Sequence, residues 1–188
     1  ASHNPKEYNG FKMMKRSGND ITIVRGVDLL DAIEKGPVTS ALLGGTPAEK
    51  INRLNILEDY TEYIFNLFDF SAIKKCKVVV DASNGVMGNV LSKTTLPVEI
   101  IPLNFKPDGN FPNHAPNPLE PGSADQIKGE IKKHGADFGF IFDADADRIF
   151  LVDEKGLLVQ ADLVLILLAK YFLQKSPGAG IAYNAICS

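Results

Sequence analysis

The chain has 188 residues, 45% of them hydrophobic and 23% charged, with a formal net charge of -3 at pH 7. This composition is typical of a globular protein long enough to bury a sizeable core. The small net charge gives no sign of a nucleic-acid partner or of an anionic membrane surface. Cys76 and Cys187 suggest neither a disulfide framework nor a zinc site. With no signal-peptide pattern at the start, the sequence favours a reducing cytoplasm.

The first residues are small, polar and turn-forming, and Ser2 stands beside His3. A serine next to a histidine can be a nucleophile next to a base, but in a polar loop such neighbours are usually loop residues alone. Asn9 and Gly10 form a strong turn signal before a short predicted strand at residues 11–14. Taken alone, the Ser2–His3 pair is weak support for catalysis.

Two helices are predicted next, with a linker between them. Residues 27–35 form a short helix, with Asp28 as its N-cap and Gly36 as its stop. The Gly-Gly-Thr-Pro sequence at residues 44–47 is the best linker candidate. A long amphipathic helix then opens a second domain, because apolar side chains recur at helical spacing. They are Leu54, Leu57, Tyr60, Ile64, Leu67 and Phe68. We expect Tyr60 and Tyr63 to lie in a core or an interface rather than to contact a ligand.

From there strands alternate with helices. Strands are predicted at residues 77–81, 98–103, 140–142, 149–152, 157–159 and 181–186. Three helices are predicted between and after them. The first follows the turn at residues 83–88 and ends at about residue 94, the second runs from a capping box at residues 123–126 through His134, and the third covers residues 162–174. The apolar run at residues 163–169 is too short to span a bilayer. This order predicts an α/β three-layer α/β/α sandwich, whose mixed sheet is antiparallel around a hairpin turn at residues 153–156.

Two connections deserve an interpretation. The glycine-containing turn at residues 83–88 lies between a strand and a helix, where a phosphate can bind, but its match to a dinucleotide fingerprint is poor and a tight structural turn is favoured. Residues 106–122 form a loop rich in proline and asparagine, and we interpret His114 in it as a loop contact rather than a ligand.

Three aspartates at alternate positions, Asp143, Asp145 and Asp147, are followed at once by Arg148 and lie between two apolar strands. Three like charges on one ordered loop repel one another, and a bound divalent cation removes that repulsion. Carboxylate oxygens are the ligands that magnesium and calcium prefer. The spacing therefore predicts a metal site on residues 143–148, which we call the aspartate loop.

Two other interpretations of the aspartate loop stand beside this one. A calcium-binding EF-hand has a glutamate at its twelfth position, as Glu154 is here, but its sixth position requires glycine and Arg148 occupies it. An aspartyl phosphatase delivers Asp-x-Asp from a strand and would use Asp143 as the nucleophile, although a hydroxyl residue usually stands where Asp147 does. Covalent phosphate on Asp143 would indicate a phosphatase of this kind, whereas covalent phosphate on Ser2 would argue against it.

The sequence resembles the alpha-D-phosphohexomutases, in particular the bacterial phosphomannomutase/phosphoglucomutase branch. Residues 1–5 and 8–12 resemble the phosphoserine loop of that family, and residues 143–148 its metal loop, Asp-Gly-Asp-x-Asp-Arg, with Ala144 in place of the usual glycine. Residues 80–85 and 111–118 also resemble the family, and all these segments follow the family's order.

The resemblance implies a metal centre shared by two distant parts of the chain. Ser2 would carry a phosphoryl group, one oxygen of which would join Asp143, Asp145 and Asp147 around Mg²⁺. Because Ser2 and the aspartate loop lie far apart in sequence, this centre would depend on how two domains pack.

Further roles are implied residue by residue. Ser2 and Lys12 would be catalytic, Ser2 as the phosphate carrier and Lys12 as general acid or base and as a substrate contact. His3 would assist by shaping the serine loop and its electrostatics, and Arg148 would bind phosphate or sugar oxygens. The expected reaction interconverts hexose 1-phosphate and hexose 6-phosphate, with hexose 1,6-bisphosphate as activator and intermediate.

The same resemblance implies how the chain is organised. Residues 1–54 would be the C-terminal part of a first domain, residues 55–175 a whole second domain with the metal loop, and residues 176–188 the first strand of a third, so that partial domains flank the sandwich. The sugar-selecting and phosphate-gripping loops would belong to the remaining domains of a parent chain, and the fragment alone is expected to be inactive. Residues 6–10 favour mannose or glucose over glucosamine as the sugar, and phosphoglucosamine mutase stays an alternative.

Overall fold

The computed structural model of the chain describes residues 6–8, 10, 12–36 and 53–183. These residues form two units, one within residues 9–55 and the other made of residues 6–8 and 56–183. The predicted linker at residues 44–47 lies outside the described residues. The predicted layout of residues 1–54, 55–175 and 176–188 as parts of three domains stays a prediction.

The smaller unit begins with a β-hairpin. Strand β1, Met13–Ser17, pairs antiparallel with strand β2, Asp20–Val24. Gly18 in the turn has a φ of 62°, a conformation that glycine adopts without strain. The strand predicted at residues 11–14 therefore begins later, at Met13, and the sequence analysis missed β2.

Helix α1, Gly26–Lys35, follows the hairpin and ends at Gly36 as predicted. The prediction that Asp28 caps this helix is wrong, because Arg25 is the N-cap. Asp28 is the third helical residue, and its carboxylate accepts a hydrogen bond from the Arg25 backbone N–H at 3.1 Å. Because the Asp28 carboxylate accepts the backbone N–H of the N-cap residue, the first turn is stabilised even though Arg25 is not one of the usual N-cap residues.

The described part of the larger unit alternates strands and helices. Its strands are β3, Lys77–Asp81; β4, Glu99–Leu103; β5, Phe138–Phe142; and β6, Ile149–Val152; its helices are α2, Leu57–Asn66; α3, Met87–Leu91; α4, Asp125–His134; and α5, Ala161–Lys175. The sheet order is β4–β3–β5–β6, and only the β5–β6 pair is antiparallel. The predicted α/β class with a mixed sheet is confirmed.

The core lies between α4 and one face of the sheet. Val79 and Ile141, at the centre of β3 and β5, are fully buried together with Ile127 and Ile131 of α4. A Cβ on Gly139 would lie only 2.9 Å from the end of each of those two isoleucines, so the glycine permits the close approach of the helix. The short β-branched strand β3 is buried on both faces, as expected for the centre of a parallel sheet.

The opposite face of the sheet carries helix α5. Val164, Leu167 and Leu168 of α5 line a groove together with Phe138 and Phe140 of β5. Helices α4 and α5 thus lie on the two sides of the sheet, as in the predicted sandwich. Within the described ranges, no helix combines the length and the apolar character needed to cross a bilayer.

Several predicted boundaries are wrong. Helix α2 starts at Leu57, so Leu54, the first residue of the predicted helical pattern, lies before it. The side chains of Tyr60 and Tyr63 are exposed and do not belong to this core, and their predicted place in an interface stays a prediction. The strand predicted at residues 157–159 is reduced to a single bridge between Val152 and Leu158. Of the strand predicted at residues 181–186, the described residues 181–183 form none, and the rest lies outside the description.

The predicted capping box at residues 123–126 is also wrong. The N-cap of α4 is Ala124, without a side-chain hydrogen bond. The hydroxyl of Ser123 points to the carbonyl oxygen of Ala115 at 3.5 Å, and the Gln126 side chain accepts a hydrogen bond from Asn104 at 2.9 Å. Both members of the expected box are thus engaged by other loops. The C-terminal end at Gly135, in the left-handed conformation, is as predicted.

Candidate metal centre

The aspartate loop is the short connection between the antiparallel strands β5 and β6. Its ends are joined by a hydrogen bond from the Asp143 backbone N–H to the Arg148 carbonyl oxygen at 3.3 Å, and its turn by one from Ala146 to Asp143 at 3.1 Å. Ala146 has a φ of 58°, in the left-handed region that few alanines adopt. The loop is therefore tightly wound, and it follows the carboxyl end of β5.

This winding brings the three aspartates together. One carboxylate oxygen from each of Asp143, Asp145 and Asp147 lies within 4.8 Å of the others, so the three can hold one metal ion. Asp143 is fully buried, whereas the other two are exposed. Because all the donors are carboxylate oxygens, the set suits a hard divalent cation.

Arg148 compensates the charge of the buried carboxylate. Its guanidinium contacts the Asp143 Oδ2 atom through Nη2 at 2.6 Å and through Nε at 2.8 Å, and its backbone N–H donates to Oδ1 at 3.1 Å. The Nε atom also lies 3.4 Å from Asp147. Arg148 thus binds two members of the triad from a side chain that is itself about one-third exposed.

The pKa values of Asp143 and Asp147, the first and last aspartates of the triad, are shifted in opposite directions. Burial tends to raise the pKa of Asp143, but the hydrogen bonds from the Arg148 backbone and guanidinium outweigh it and lower that pKa below the ordinary aspartate value. The hydrogen bond with Asp143, then burial and the charges of Asp143 and Asp145, raise the pKa of Asp147. Crowding of the carboxylates therefore disfavours full ionisation of the triad, which is the repulsion that a cation would remove.

A second buried charge lies at the carboxyl end of β3. Asp81 is fully buried, and its Oδ2 atom lies 3.0 Å from Nε2 of His114, whose side chain is only 6% exposed. The other ring nitrogen, Nδ1, lies 2.8 Å from the carbonyl oxygen of Ala115. Both nitrogens face acceptors, an arrangement that favours the protonated ring because only that form donates from both nitrogens. Burial acts to lower the pKa of His114, but the hydrogen bond and charge of Asp81 raise it overall.

This pair is what the sequence analysis missed. His114 is a loop contact, as predicted, but its partner is a buried carboxylate 33 positions away. The available signal was an aspartate at the end of a buried strand, a position where a charge requires a partner.

The turn after β3 is structural rather than a phosphate cradle. Its backbone N–H groups already donate within the protein: Ser83 to the Asp81 carboxylate, Asn84 to Asn104, Gly85 to Ala82 and Val86 to Ala144. The interpretation of these residues as a tight βα turn is thus supported, because a bound phosphate would need those donors.

The predicted site residues are placed as follows. Asp143, Asp145 and Asp147 come together, and Arg148 contacts the first and last of them. Lys12 is exposed and belongs to the smaller unit. Ser2 and His3 lie outside the described residues. The catalytic, substrate-binding and metal-ligating roles of all these residues stay predictions.

The geometry disfavours the calcium-binding interpretation of the loop. Strands β5 and β6 flank it, whereas an EF-hand loop lies between helices, and Glu154 lies beyond β6 in the turn that closes at Gly156. The position of covalent phosphate, Ser2 or Asp143, decides on the phosphatase interpretation.

Comparison with known proteins gives a family match. The family described as phosphoglucomutase/phosphomannomutase, alpha/beta/alpha domain II, matches residues 58–156, a range that contains the whole sheet and the aspartate loop. A phosphomannomutase of Escherichia coli is 36% identical over 195 aligned positions, and a phosphomannomutase/phosphoglucomutase of Pseudomonas putida is 36% identical over 190. The alignments cover 98% and 100% of this chain.

A solved structure agrees with these sequence matches. A phosphoglucomutase/phosphomannomutase family protein from Burkholderia thailandensis superimposes with a TM-score of 0.71 at 30% identity, over 94% of this chain and 37% of that one. The chain spans 42% of the length of the Escherichia coli relative and 39% of the Pseudomonas putida relative. It therefore corresponds to less than half of each of these three proteins.

Proposed function

The chain belongs to the phosphoglucomutase/phosphomannomutase family, and from this premise we propose that it carries part of the active site of a phosphohexomutase. The reaction is the interconversion of a hexose 1-phosphate and a hexose 6-phosphate, with mannose, glucose or both as the sugar. The names of the Escherichia coli and Pseudomonas putida relatives support this substrate class. The observation that carries the proposal is the gathering of three carboxylates on one loop of the matched range.

Mg²⁺ is the ion proposed for the aspartate loop. Asp143, Asp145 and Asp147 would hold it, and a phosphate oxygen on Ser2 would be a further ligand; magnesium typically combines a few carboxylates with phosphate and water. When bound, the ion offsets the negative charge of the phosphoryl group that is transferred. Arg148 balances the buried charge of Asp143, and it is the residue proposed to bind phosphate or sugar oxygens, which a guanidinium can contact in a bidentate way.

The proton and the phosphoryl group are handled by the other predicted residues. A sugar hydroxyl attacks the phosphorus of phosphorylated Ser2 and gives its proton to Lys12, while the bond from phosphorus to the serine oxygen breaks and its electron pair stays on the serine oxygen, which attacks the other phosphate in the return step. The product is the hexose 1,6-bisphosphate, which also acts as activator. When it has turned around, its other phosphate returns to Ser2 and Lys12 gives the proton back. His3 shapes the loop that presents Ser2.

The remaining domains of the parent chain are the proposed partners. They would supply the loops that select the sugar and hold its second phosphate, in keeping with the 42% of the Escherichia coli relative that this chain spans. Holding a reactant in the correct geometry can contribute about 7–11 kcal/mol toward a barrier, so both halves of the site are needed for turnover.

The position of covalent phosphate tests the proposal. The full-length parent enzyme, in which both halves of the site are present, is incubated with glucose 1,6-bisphosphate and Mg²⁺, and its mass and phosphopeptides are compared before and after phosphatase treatment. We expect phosphate on Ser2, none in a Ser2→Ala variant, and loss of mannose 1-phosphate and glucose 1-phosphate conversion when the same change is made in the parent enzyme. Phosphate on Asp143, or a parent enzyme unaffected by Ser2→Ala, would overturn the proposal.

A further inference from the structure

The turn at residues 81–86, which follows β3, lies directly against the aspartate loop. The Val86 backbone N–H donates a hydrogen bond to the Ala144 carbonyl oxygen at 3.0 Å. The Ser83 hydroxyl donates one to the carbonyl oxygen of Phe142. Phe142 and Ala144 are the two neighbours of Asp143 in the chain, so this single turn holds the backbone on both sides of the buried ligand.

Gly85 brings the two segments into contact. A Cβ at this position would lie 2.7 Å from the Cα atom of Ala144 and 2.8 Å from its carbonyl carbon. Real Cβ atoms essentially never approach this closely, and the atoms in the way belong to the backbone of the aspartate loop. Because backbone cannot move aside as the end of a long side chain can, any side chain at residue 85 must displace the loop.

The turn is itself held in a demanding conformation. Ser83 and Asn84 have φ angles of 49° and 54°, in the left-handed region. The Asp81 carboxylate fixes Ser83 by accepting its backbone N–H at 2.8 Å, and the Asn104 carbonyl oxygen fixes Asn84 at 2.9 Å. Asp81 in turn contacts Nε2 of His114 at 3.0 Å. Strained residues that the surrounding bonds over-determine occur preferentially where geometry serves a function.

We propose that Ser83 and Gly85 are positioning residues for the metal centre. They act through the backbone carbonyls of Phe142 and Ala144, and they keep Asp143 and Asp145 at the spacing that one ion requires. The inference rests on the proposed metal-binding function of the aspartate loop and extends it to a segment about 60 residues earlier in the chain. Mutation of residues that orient the metal ligands without contacting the metal typically changes metal affinity by about 10–100-fold.

The test uses the 188-residue chain with two separate changes, Ser83→Ala and Gly85→Ala. The matched controls are Ser123→Ala, which removes another buried hydroxyl bonded to a backbone carbonyl, and Gly156→Ala, which strains a left-handed glycine and meets Lys128 at 3.2 Å, away from the aspartate loop. Calorimetry measures the affinity for Mn²⁺ and Mg²⁺. Hydrogen exchange of the Ala146 and Arg148 amides, measured without metal, reports directly on how firmly the loop is held.

Both changes are expected to weaken Mn²⁺ binding by about tenfold or more and to accelerate exchange of the two loop amides, whereas both controls leave these quantities at the level of the parent protein. Unchanged exchange and unchanged affinity in a folded Gly85→Ala protein would overturn the proposal. If the unmutated 188-residue chain binds no metal, the proposed function of the aspartate loop fails. The exchange rates then still decide whether Ser83 and Gly85 position the loop. The two failures are therefore distinguishable.

Discussion

Replacing His114 with alanine should destabilise the larger unit strongly, because it leaves a buried carboxylate without its partner. Asp81 is fully buried and its Oδ2 atom accepts from His114 at 3.0 Å. Breaking a buried ion pair by removing one member typically costs about 3–5 kcal/mol of unfolding free energy. The other carboxylate oxygen keeps its bonds from Ser83 at 2.8 Å and from Asn104 at 3.0 Å. We therefore expect the lower end of that range, about 3 kcal/mol.

Urea denaturation of the purified protein measures this effect. For a unit of this size, about 3 kcal/mol corresponds to a fall in Tm of about 10 °C. The control is His134→Ala, which removes an exposed histidine bonded to Glu130 at 3.0 Å and should cost about 0.5 kcal/mol. A double-mutant cycle with Asp81→Asn isolates the pair, and the double variant should be more stable than the sum of the single effects predicts by at least about 1 kcal/mol.

Two outcomes would refute this reasoning. One is a loss of less than about 1 kcal/mol in His114→Ala, the value expected of an exposed pair. The other is additivity of the two single changes, which would mean that Asp81 and His114 do not stabilise one another.

Two further predictions concern pH and packing. The folded-state pKa of His114 lies above its ordinary value of 6.5. The stabilisation by the pair with Asp81 should therefore be complete below pH 6.5 and lost as the pH rises through the raised pKa. Urea denaturation midpoints measured from about pH 5 to 9 should fall accordingly, and this fall should be absent in His114→Gln. Gly139→Ala places a Cβ 2.9 Å from two core isoleucines and 3.0 Å from the carbonyl oxygen of Val79, which should destabilise the protein by about 1–3 kcal/mol in urea. Its control, Gly129→Ala, meets open space in α4 and should be neutral or stabilising, and equal stability of the two variants would contradict the packing described for the core.

The triad was predictable from the sequence because its determinants are local. Asp143, Asp145 and Asp147 stand within five positions of one another, between strands whose apolar pattern is clear. Ending one strand and starting the next leaves only a short loop, so the carboxylates have to meet. The same locality explains why β3 and the helix end at Gly135 were predicted correctly.

Features that depend on distant partners were not predictable. Asp81 meets His114 only because β3 and the loop of residues 106–122 fold together, and no spacing rule connects positions 33 apart. Ser123 satisfied the pattern of a capping box, yet its hydroxyl faces Ala115 instead. Asp28 lies two positions inside the helix that it was expected to begin. Short polar side chains can bond at several nearby positions, and tertiary contacts select among them.

The contact between the turn after β3 and the aspartate loop belongs to the same class. The sequence shows a serine, an asparagine and a glycine in a row, which predicts a turn. It does not show that the glycine faces Ala144, since that requires β3 and β5 to be neighbours in register.

The central claim, that the aspartate loop is a metal centre, is tested most directly by calorimetric titration of Mg²⁺ into the 188-residue chain, an Asp145→Ala variant and an Asp59→Ala control. Asp59 is an exposed carboxylate of α2, so its removal matches the change in charge without touching the loop. We predict weak binding of one ion to the unmutated 188-residue chain and to Asp59→Ala, because no phosphate ligand is present. We predict no binding to Asp145→Ala. Equal heats in all three proteins would contradict the claim.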